Sequence, residues 1–322
     1  MENKKTEISV VIPVYNEEQS VKELFLKVED VLSRTNRSHE VIFIDDGSTD
    51  KTFDILKELH GISDNLKAIR FRKNFGKSAA LTAGFEYAQG DFVITMDGDL
   101  QDDPEEIPRF LERIKGGYDL IVGWKAERKD PVAKKIVSKI FNKLTAWLTG
   151  VKIHDSNCCF KIFRGEVVKN IKVHGELHRY IPALAYWQGY KVDEIKVRHY
   201  SRRYGKSKYG FGRVAKGFLD LITIKFLMTY LNRPIHFFGQ AGLLLLLLGF
   251  FSGAATLILK FALGVSLRTT QLPLLTVFLI TVGVQFILMG LLAEIMIRIY
   301  YDPQEKKTPY SIKEEINLKG DD

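Results

Sequence analysis

The sequence predicts an α/β domain followed by two membrane-spanning helices. Two observations support this fold class. Between Ile8 and Trp124 short apolar runs alternate with amphipathic stretches, and residues 237–259 and 269–293 carry no charge. Repeated strand–helix units with nearly continuous apolar strands are typical of a parallel sheet covered by helices. In such sheets, ligands bind at the carboxyl ends of the strands.

Five strands are expected in the first part of the chain. They cover residues 8–15, 40–50 (ending in an acidic turn), 66–74, 91–99 and 119–124. Helices are expected over residues 16–33 and 78–88, from about residue 104, and over residues 130–149, before a loop at residues 154–164. Side chains that follow the strands should therefore meet at one edge of the sheet. Those side chains are Asn16, Asp45, Asp46, Asp97 and Asp99.

The composition narrows the class of partner. The chain has 322 residues and a net charge of +8. A basic protein favours an anionic partner, and here no long basic run with interleaved aromatics indicates nucleic acid. Basic residues instead flank the apolar stretches, which favours contact with membrane lipids. Cys158 and Cys159 are adjacent, and no Cys/His spacing indicates zinc.

The two uncharged stretches predict membrane spans at about residues 237–260 and 270–294. Each exceeds the roughly 20 residues that cross a bilayer core, and the alternative is a pair of buried core helices. Their short link makes them a hairpin, and basic residues outside it place both ends in the cytoplasm. We expect no signal peptide. Residues 211–234 mix apolar and basic side chains at helical spacing, which suggests an interfacial helix or further soluble core.

Acidic turns follow two of the strands. Asp97-Gly98-Asp99 places two carboxylates where both can reach one hard cation, although an ordinary acidic turn has the same composition. Asp45-Asp46-Gly47-Ser48 suits either a nucleotide contact or a turn with a helix cap. The first turn, in VIPVYNEE, lacks the G-x-G-x-x-G of dinucleotide folds, and no phosphate-binding loop occurs. A diphosphate would therefore be held by metal and side chains.

Taken in order, these motifs resemble family 2 glycosyltransferases with the nucleotide-diphospho-sugar transferase (GT-A, Rossmann-like) fold. The matching motifs are VIPVYNEE, DDGS, RKNFGKSAALTAG and DGD-x-Q. FKIFR, RRYGKSKYG and two spans ending in GLLAEIMIRIY are similar to the polyprenyl-phosphate branch, which includes dolichol-phosphate mannose synthase and bactoprenol glucosyltransferases. The resemblance implies a UDP- or GDP-sugar donor, Mg²⁺ or Mn²⁺, and an undecaprenyl or dolichyl phosphate acceptor.

The resemblance also implies roles for individual residues. Nucleotide-binding positions are Pro13, Tyr15, Glu17, Asp46, Lys77 and Asp97. Metal-binding positions are Asp97, Asp99 and Gln101, and acceptor-phosphate positions are Lys125, Arg128, Arg202, Ser207 and Lys208. Asp155, Asp99 and Arg128 are the catalytic candidates, with Asp155 as a base or an orienting group. Lys125 stands where the family often has arginine, and Cys158-Cys159 replaces a Ser-Gly or Gly-Cys pair.

The expected protein is therefore an enzyme of the cytoplasmic membrane with a catalytic domain facing the cytoplasm. Its expected divisions are a catalytic domain at 1–210, juxtamembrane helices at 211–234, a hairpin at 235–300 and a tail at 301–322. The expected reaction is metal-dependent, inverting transfer of a sugar to a polyprenyl phosphate. The alternatives are a processive polysaccharide synthase, for which no Q-x-x-R-W motif is present, and a non-catalytic membrane scaffold. A homo-oligomer is left open.

Overall fold

The computed structural model describes residues 5–126, 144–146, 148–171, 177–200, 203, 234–266, 268, 270–301 and 312–316. The chain divides into two compact units. Met1–Ile224 and Thr308–Asp322 form one unit, and Lys225–Lys307 forms the other. Of the tail predicted at residues 301–322, the part from Thr308 onward thus belongs to the unit that holds the sheet.

Eight strands of the described residues form one sheet. In chain order they are β1 Ile8–Val14, β2 His39–Asp45, β3 Leu66–Phe71, β4 Phe92–Thr95, β5 Leu120–Trp124, β6 Lys161–Arg164, β7 Val192–Lys196 and β8 Ile312–Ile316, arranged as β7-β5-β6-β4-β1-β2-β3-β8. The helices are α1 Val21–Ser33, α2 Thr52–His60, α3 Lys77–Tyr87, α4 Ile107–Ile114, α5 Gly165–Asn170 and α6 Ile181–Trp187, with 3-10 turns at Pro104–Glu106 and Leu177–Tyr180.

The sheet is mixed, whereas the apolar strands predicted a parallel one. Strands β1 to β4 run parallel to one another, and β5 and β7 form a second parallel pair. Strand β6 lies antiparallel between β4 and β5, and β8 lies antiparallel to β3. The prediction of a loop over residues 154–164 was therefore wrong at its end. Lys161–Arg164 completes the sheet between two strands whose inner edges would otherwise lack backbone partners.

Close packing of helices on the sheet explains the apolar pattern. All of β1 except Pro13 is buried, as expected for a central strand covered on both faces. Helix α1 buries Val21, Leu24, Phe25, Val28, Val31 and Leu32, which recur at helical spacing. Helix α3 approaches β1 so closely that a Cβ on Gly84 would lie 2.2 Å from Val11 Cγ1. Most of the helix predicted over residues 130–149 lies outside the described residues.

The second unit contains two long helices, α7 Pro234–Phe261 and α8 Leu272–Tyr301. Both are long and apolar enough to span a membrane, as predicted. In the most apolar stretch of each helix, only 17% of the residues in α7 and 11% of those in α8 are buried, which argues against a pair of core helices. They pack on each other through glycine. A Cβ on Gly242 would lie 2.7 Å from Gly283 O, and one on Gly249 would lie 2.8 Å from Ile280 Cγ1.

Candidate active site

The carboxyl ends of β4, β1 and β2 are neighbours in the sheet, and each is followed by a polar turn. These are the NEE turn (residues 15–20) after β1, the DDGS turn (residues 45–48) after β2 and the DGD loop (residues 97–101) after β4. The strands are parallel and in register, so the three turns lie along one edge of the sheet. The structure thus brings together the residues that the sequence analysis assigned to nucleotide and metal.

Hydrogen bonds between backbone N–H groups and side-chain oxygens connect the NEE turn to the DDGS turn and the start of α2. Asn16 has φ 54°, a left-handed conformation that asparagine tolerates better than most residues. Its N–H donates to Ser48 Oγ at 2.8 Å, and its side-chain Oδ1 accepts from Thr49 N at 2.9 Å. Glu17 N donates to Thr52 Oγ1 at 2.9 Å. The positions of Tyr15 and Glu17 therefore depend on the DDGS turn.

The two carboxylates of the DDGS turn face different partners. Asp45 is fully buried, accepts from Ser48 N at 2.9 Å, and has its Oδ2 3.4 Å from Arg70 Nε. Asp46 accepts from Phe75 N at 2.7 Å and from Gly76 N at 3.0 Å, so it orders the loop before α3. Burial raises the pKa of Asp46 to about 6, against the lowering effect of these two N–H donors.

Gly47 is required by this arrangement. Its φ is +72°, and a Cβ there would lie 2.4 Å from the backbone carbon of Lys73. The DDGS turn and the loop before α3 therefore touch backbone to backbone, which a larger residue would prevent.

Charged side chains surround the DGD loop. The Asp97 carboxylate forms an ion pair with the Lys77 ammonium at the start of α3. Burial opposes ionisation of Asp97, but the charges of Lys77 and Lys125 outweigh it and hold the pKa of this carboxyl below its usual range. Asp99 Oδ1 accepts from Gln101 N at 3.2 Å. Gln101 Nε2 donates to Tyr200 O at 3.3 Å, so the glutamine side chain spans the loop and the chain after β7.

Lys125, predicted to face the acceptor phosphate, forms an ion pair within the protein. Its Nζ lies 2.8 Å from Asp102 Oδ1, and both side chains are almost fully buried. Burial opposes this charge, but Asp102 and Asp97 raise the pKa of Lys125 above its ordinary value. Asp102 was not among the predicted site residues, although its position directly after Gln101 in the acidic run Asp102-Asp103 could have indicated it.

The strand β6 brings Asp155 and the two cysteines close to these charges. Asp155 is buried, and its backbone O accepts from Cys158 N at 3.3 Å. Lys161 is buried and donates from Nζ to Cys158 O, while Thr95 Oγ1 donates to Cys159 O at 2.6 Å. Burial raises the pKa of the Cys158 thiol to about 12 and of the Cys159 thiol to about 11. Both are therefore neutral thiols at pH 7 and poor nucleophiles.

A histidine also lies beside α3. His178 Nδ1 is 2.9 Å from Ser78 Oγ, next in sequence to Lys77. Burial, and then the neighbouring charges of Lys77 and Arg179, lower the pKa of His178 to about 2. It is a neutral hydrogen-bonding group at pH 7, and no sequence spacing identified it. Arg128, Arg202, Ser207 and Lys208, also predicted to be site residues, lie outside the described residues.

Residues 9–172 match the model of glycosyl transferase family 2. The match covers more than half of the chain, and its end includes β6. The chain therefore belongs to glycosyl transferase family 2, and it is a glycosyltransferase.

Similar proteins extend over nearly the whole chain. One is the dodecaprenyl-phosphate galacturonate synthase of Rhizobium johnstonii, which is 39% identical over 311 residues, covering 92% of this chain and 89% of the relative. Another is the undecaprenyl-phosphate 4-deoxy-4-formamido-L-arabinose transferase of Pseudomonas aeruginosa, at 37% over 299 residues, with 92% and 86% covered. The enzyme of the same description from Klebsiella pneumoniae is 35% identical over 297 residues, with 92% and 89% covered.

Solved structures share the fold at lower identity. Glucosyl-3-phosphoglycerate synthase from Mycobacterium tuberculosis, crystallised with Mn²⁺, UDP and phosphoglyceric acid, superposes with a TM-score of 0.53. The identity is 18%, and the match covers 68% of this chain and 78% of that one. The likeness confirms the predicted GT-A fold of the sheet.

Proposed function

We propose that this glycosyltransferase moves a sugar from a nucleotide-sugar, UDP- or GDP-linked, to a polyprenyl phosphate such as undecaprenyl or dolichyl phosphate. One observation carries the proposal: relatives named for polyprenyl-phosphate sugar transfer match 92% of the chain, including its apolar helices. An acceptor that stays in the bilayer requires an enzyme held at the bilayer, and the two long helices supply such an anchor.

The donor is assigned to the NEE and DDGS turns and to the start of α3. Three features support this: the turns are hydrogen-bonded to each other, they lie at the carboxyl ends of parallel strands, and the Lys77 ammonium lies beside them. Cationic side chains at such a position hold phosphate oxygens. The proposed donor-binding residues are Pro13, Tyr15, Glu17, Asp46, Lys77 and Asp97.

The residues of the DGD loop fit a divalent ion, Mg²⁺ or Mn²⁺. Asp97 and Asp99 offer hard oxygen ligands, and Asp97 is held in its ionised form. Among the described residues, no group of three or more His, Cys, Asp and Glu side chains converges on one point. One or two protein carboxylates completed by substrate phosphates is the usual arrangement for Mg²⁺. Asp97, Asp99 and Gln101 would hold the ion, which stabilises negative charge on a departing diphosphate when bound.

The proposed reaction is a single inverting displacement. An oxygen of the lipid phosphate forms a bond to the sugar's anomeric carbon, and the bond from that carbon to the nucleotide diphosphate breaks, with its electron pair leaving on the diphosphate. The attacking phosphate is already anionic at pH 7, so it needs little general-base assistance. The protein's contribution is positioning and electrostatic stabilisation. Asp155 is then an orienting group, which its buried position beside the Cys158 turn supports.

The acceptor phosphate is assigned to Lys125, Arg128, Arg202, Ser207 and Lys208. Lys125 is the member of this set within the described residues, and its pairing with Asp102 leaves it as a fixed charge behind the site. Basic residues flank the hairpin on the outside of both helices, so we propose that the catalytic unit faces the cytoplasm.

The test is transfer of radiolabel from nucleotide-sugars into organic-soluble lipid by membranes that contain the protein and added undecaprenyl or dolichyl phosphate. Asp99→Asn should lower the rate of transfer at least about a hundredfold. In other enzymes, removing one group that stabilises charge in the transition state lowers the rate by about that factor. The matched control is Asp54→Asn, an exposed position on α2 with the same change of charge.

If no UDP- or GDP-sugar gives organic-soluble label, the proposed class of acceptor or of donor is wrong. Full activity of Asp99→Asn would instead leave the reaction standing and reject the assigned site.

A further inference from the structure

The C-terminal strand β8 covers the edge of the sheet next to the DDGS side of the site. It pairs antiparallel with β3, with Ala68 opposite Ile316, Ile69 opposite Glu315 and Arg70 opposite Glu314. An uncovered edge strand exposes backbone groups that attract other chains, and covering it is a common solution. The side chains of β8, however, do more than cover the edge.

Glu314 binds two cations of the neighbouring elements. Its Oε2 lies 2.5 Å from Lys57 Nζ, and its Oε1 lies 3.9 Å from Arg70 Nη1. The same two cations lie over the ring of Phe53, at 5.1 Å for Lys57 Nζ and 5.2 Å for the Arg70 guanidinium carbon. The buried phenyl ring and the carboxylate therefore fix the direction of the Arg70 side chain together.

Arg70 connects this contact to the DDGS turn. Its Nη2 donates to Ser48 O at 2.9 Å, and its Nε lies 3.4 Å from Asp45 Oδ2. Ser48 Oγ in turn accepts the N–H of Asn16 in the NEE turn. One guanidinium thus joins strand β8 to both turns that we assign to the donor nucleotide.

We propose that Glu314 is a positioning residue for donor binding: through Arg70 it holds the DDGS and NEE turns in the conformation that accepts the nucleotide diphosphate. The inference rests on the proposed donor site. It gives the segment that follows the second long helix a role in donor affinity, and it predicts no effect on use of the lipid acceptor.

Strand β8 provides its own control. Glu315 is adjacent and carries the same charge, but it lies on the opposite face of the strand, where its Oε1 accepts from the Tyr87 hydroxyl at 3.5 Å. If β8 served only to cover the edge, reversing either charge would lower stability alike and leave nucleotide affinity unaffected. A positioning role separates the two variants.

The experiment uses the full chain in lipid nanodiscs and measures binding of UDP and of GDP, each with Mn²⁺, by equilibrium dialysis. Glu314→Lys should weaken binding of the preferred nucleotide about three- to tenfold, as expected for losing one partly exposed ion-pair network. Glu314→Gln should weaken nucleotide binding about twofold. Glu315→Lys should change nucleotide affinity less than Glu314→Gln does. Deuterium exchange of residues 45–49, without nucleotide, should be faster in Glu314→Lys than in Glu315→Lys.

Each outcome decides one point. Equal affinity of the parent and both Glu314 variants overturns the inference and leaves the proposed function intact. If the parent binds neither nucleotide, the proposed donor fails, and deuterium exchange alone decides whether Glu314 orders the DDGS turn. If Glu314→Lys does not fold, the affinity and exchange of Glu314→Gln relative to the parent decide instead.

Discussion

The two sides of the candidate site are built by different forces. On the DDGS side, Asn16, Ser48 and Asp46 are held by directional hydrogen bonds to backbone N–H groups. On the DGD side, Lys77 pairs with Asp97 and Lys125 pairs with Asp102. Hydrogen bonds to backbone groups fix geometry, whereas the ion pairs place charges of both signs beside the DGD loop. The first side of the site therefore depends mainly on backbone geometry, and the second side depends mainly on charge.

The largest expected effect breaks the charged side. Lys125→Met leaves the buried Asp102 carboxylate without its cation, which should cost about 3–5 kcal/mol of unfolding free energy. Thermal unfolding of the detergent-solubilised protein measures the loss, and exposed Lys115→Met is the control. Adding Asp102→Asn to Lys125→Met should recover most of the loss, because no buried charge then remains unpaired. An unchanged melting temperature for Lys125→Met would show that water already reaches this pair.

The next effect uses pH to examine the DDGS side. The folded-state pKa of Asp46 is raised to about 6, above its unfolded value, so the native state binds more protons between those two values. Its contribution to stability is thus largest below that window and is lost as pH rises through the folded pKa. Asp46→Asn keeps an acceptor for Phe75 N and Gly76 N but removes the charge.

Relative to the parent, Asp46→Asn should gain about 2–3 kcal/mol of stability between pH 4 and pH 7. Unfolding of both proteins across that range measures the gain as a difference, which cancels the groups that they share. A constant difference between the two proteins would mean that the Asp46 carboxyl titrates normally.

The smallest expected effect separates close contact from backbone strain. Gly47→Ala combines a positive φ with a clash against Lys73, and it should cost about 2 kcal/mol and weaken nucleotide binding. Gly117 also has a positive φ, of +88°, but nothing lies within 4 Å of its absent Cβ. Gly117→Ala should therefore cost about 1 kcal/mol and leave nucleotide binding unchanged. Equal effects of the two substitutions on nucleotide binding would remove the argument for backbone contact at Gly47.

The sequence predicted the DDGS side better than the DGD side for a physical reason. The strands β1 to β5 are apolar runs bounded by turns, and their parallel order places the turns together. The partners of Lys77 and Lys125 depend on how loops fold over the sheet edge, and charge alone does not reveal them. Lys125 was predicted to face a ligand phosphate, and nothing in the local sequence indicates that its ammonium also pairs with Asp102.

Strands β6, β7 and β8 escaped prediction because they are short and polar, as β6 and β8 illustrate. Strand β6 has four residues with a cation at each end, and β8 contains the charged run Lys313-Glu314-Glu315. Neither has the alternation or the apolar run that marks a strand in isolation. Both form because a neighbouring strand offers unsatisfied backbone groups, a determinant that local sequence does not contain.

The glycine contacts between α7 and α8 have a consequence for how this pair holds together in lipid. Acyl chains are as apolar as leucine, so expulsion of solvent supplies no force between the two helices. Dispersion between surfaces that meet at Gly242 and Gly283 supplies it instead, together with the hydrogen bond from Thr276 Oγ1 to Ser252 Oγ at 2.9 Å. Leucines facing outward are then interchangeable with other apolar residues, whereas one methyl group added at the seam separates the pair.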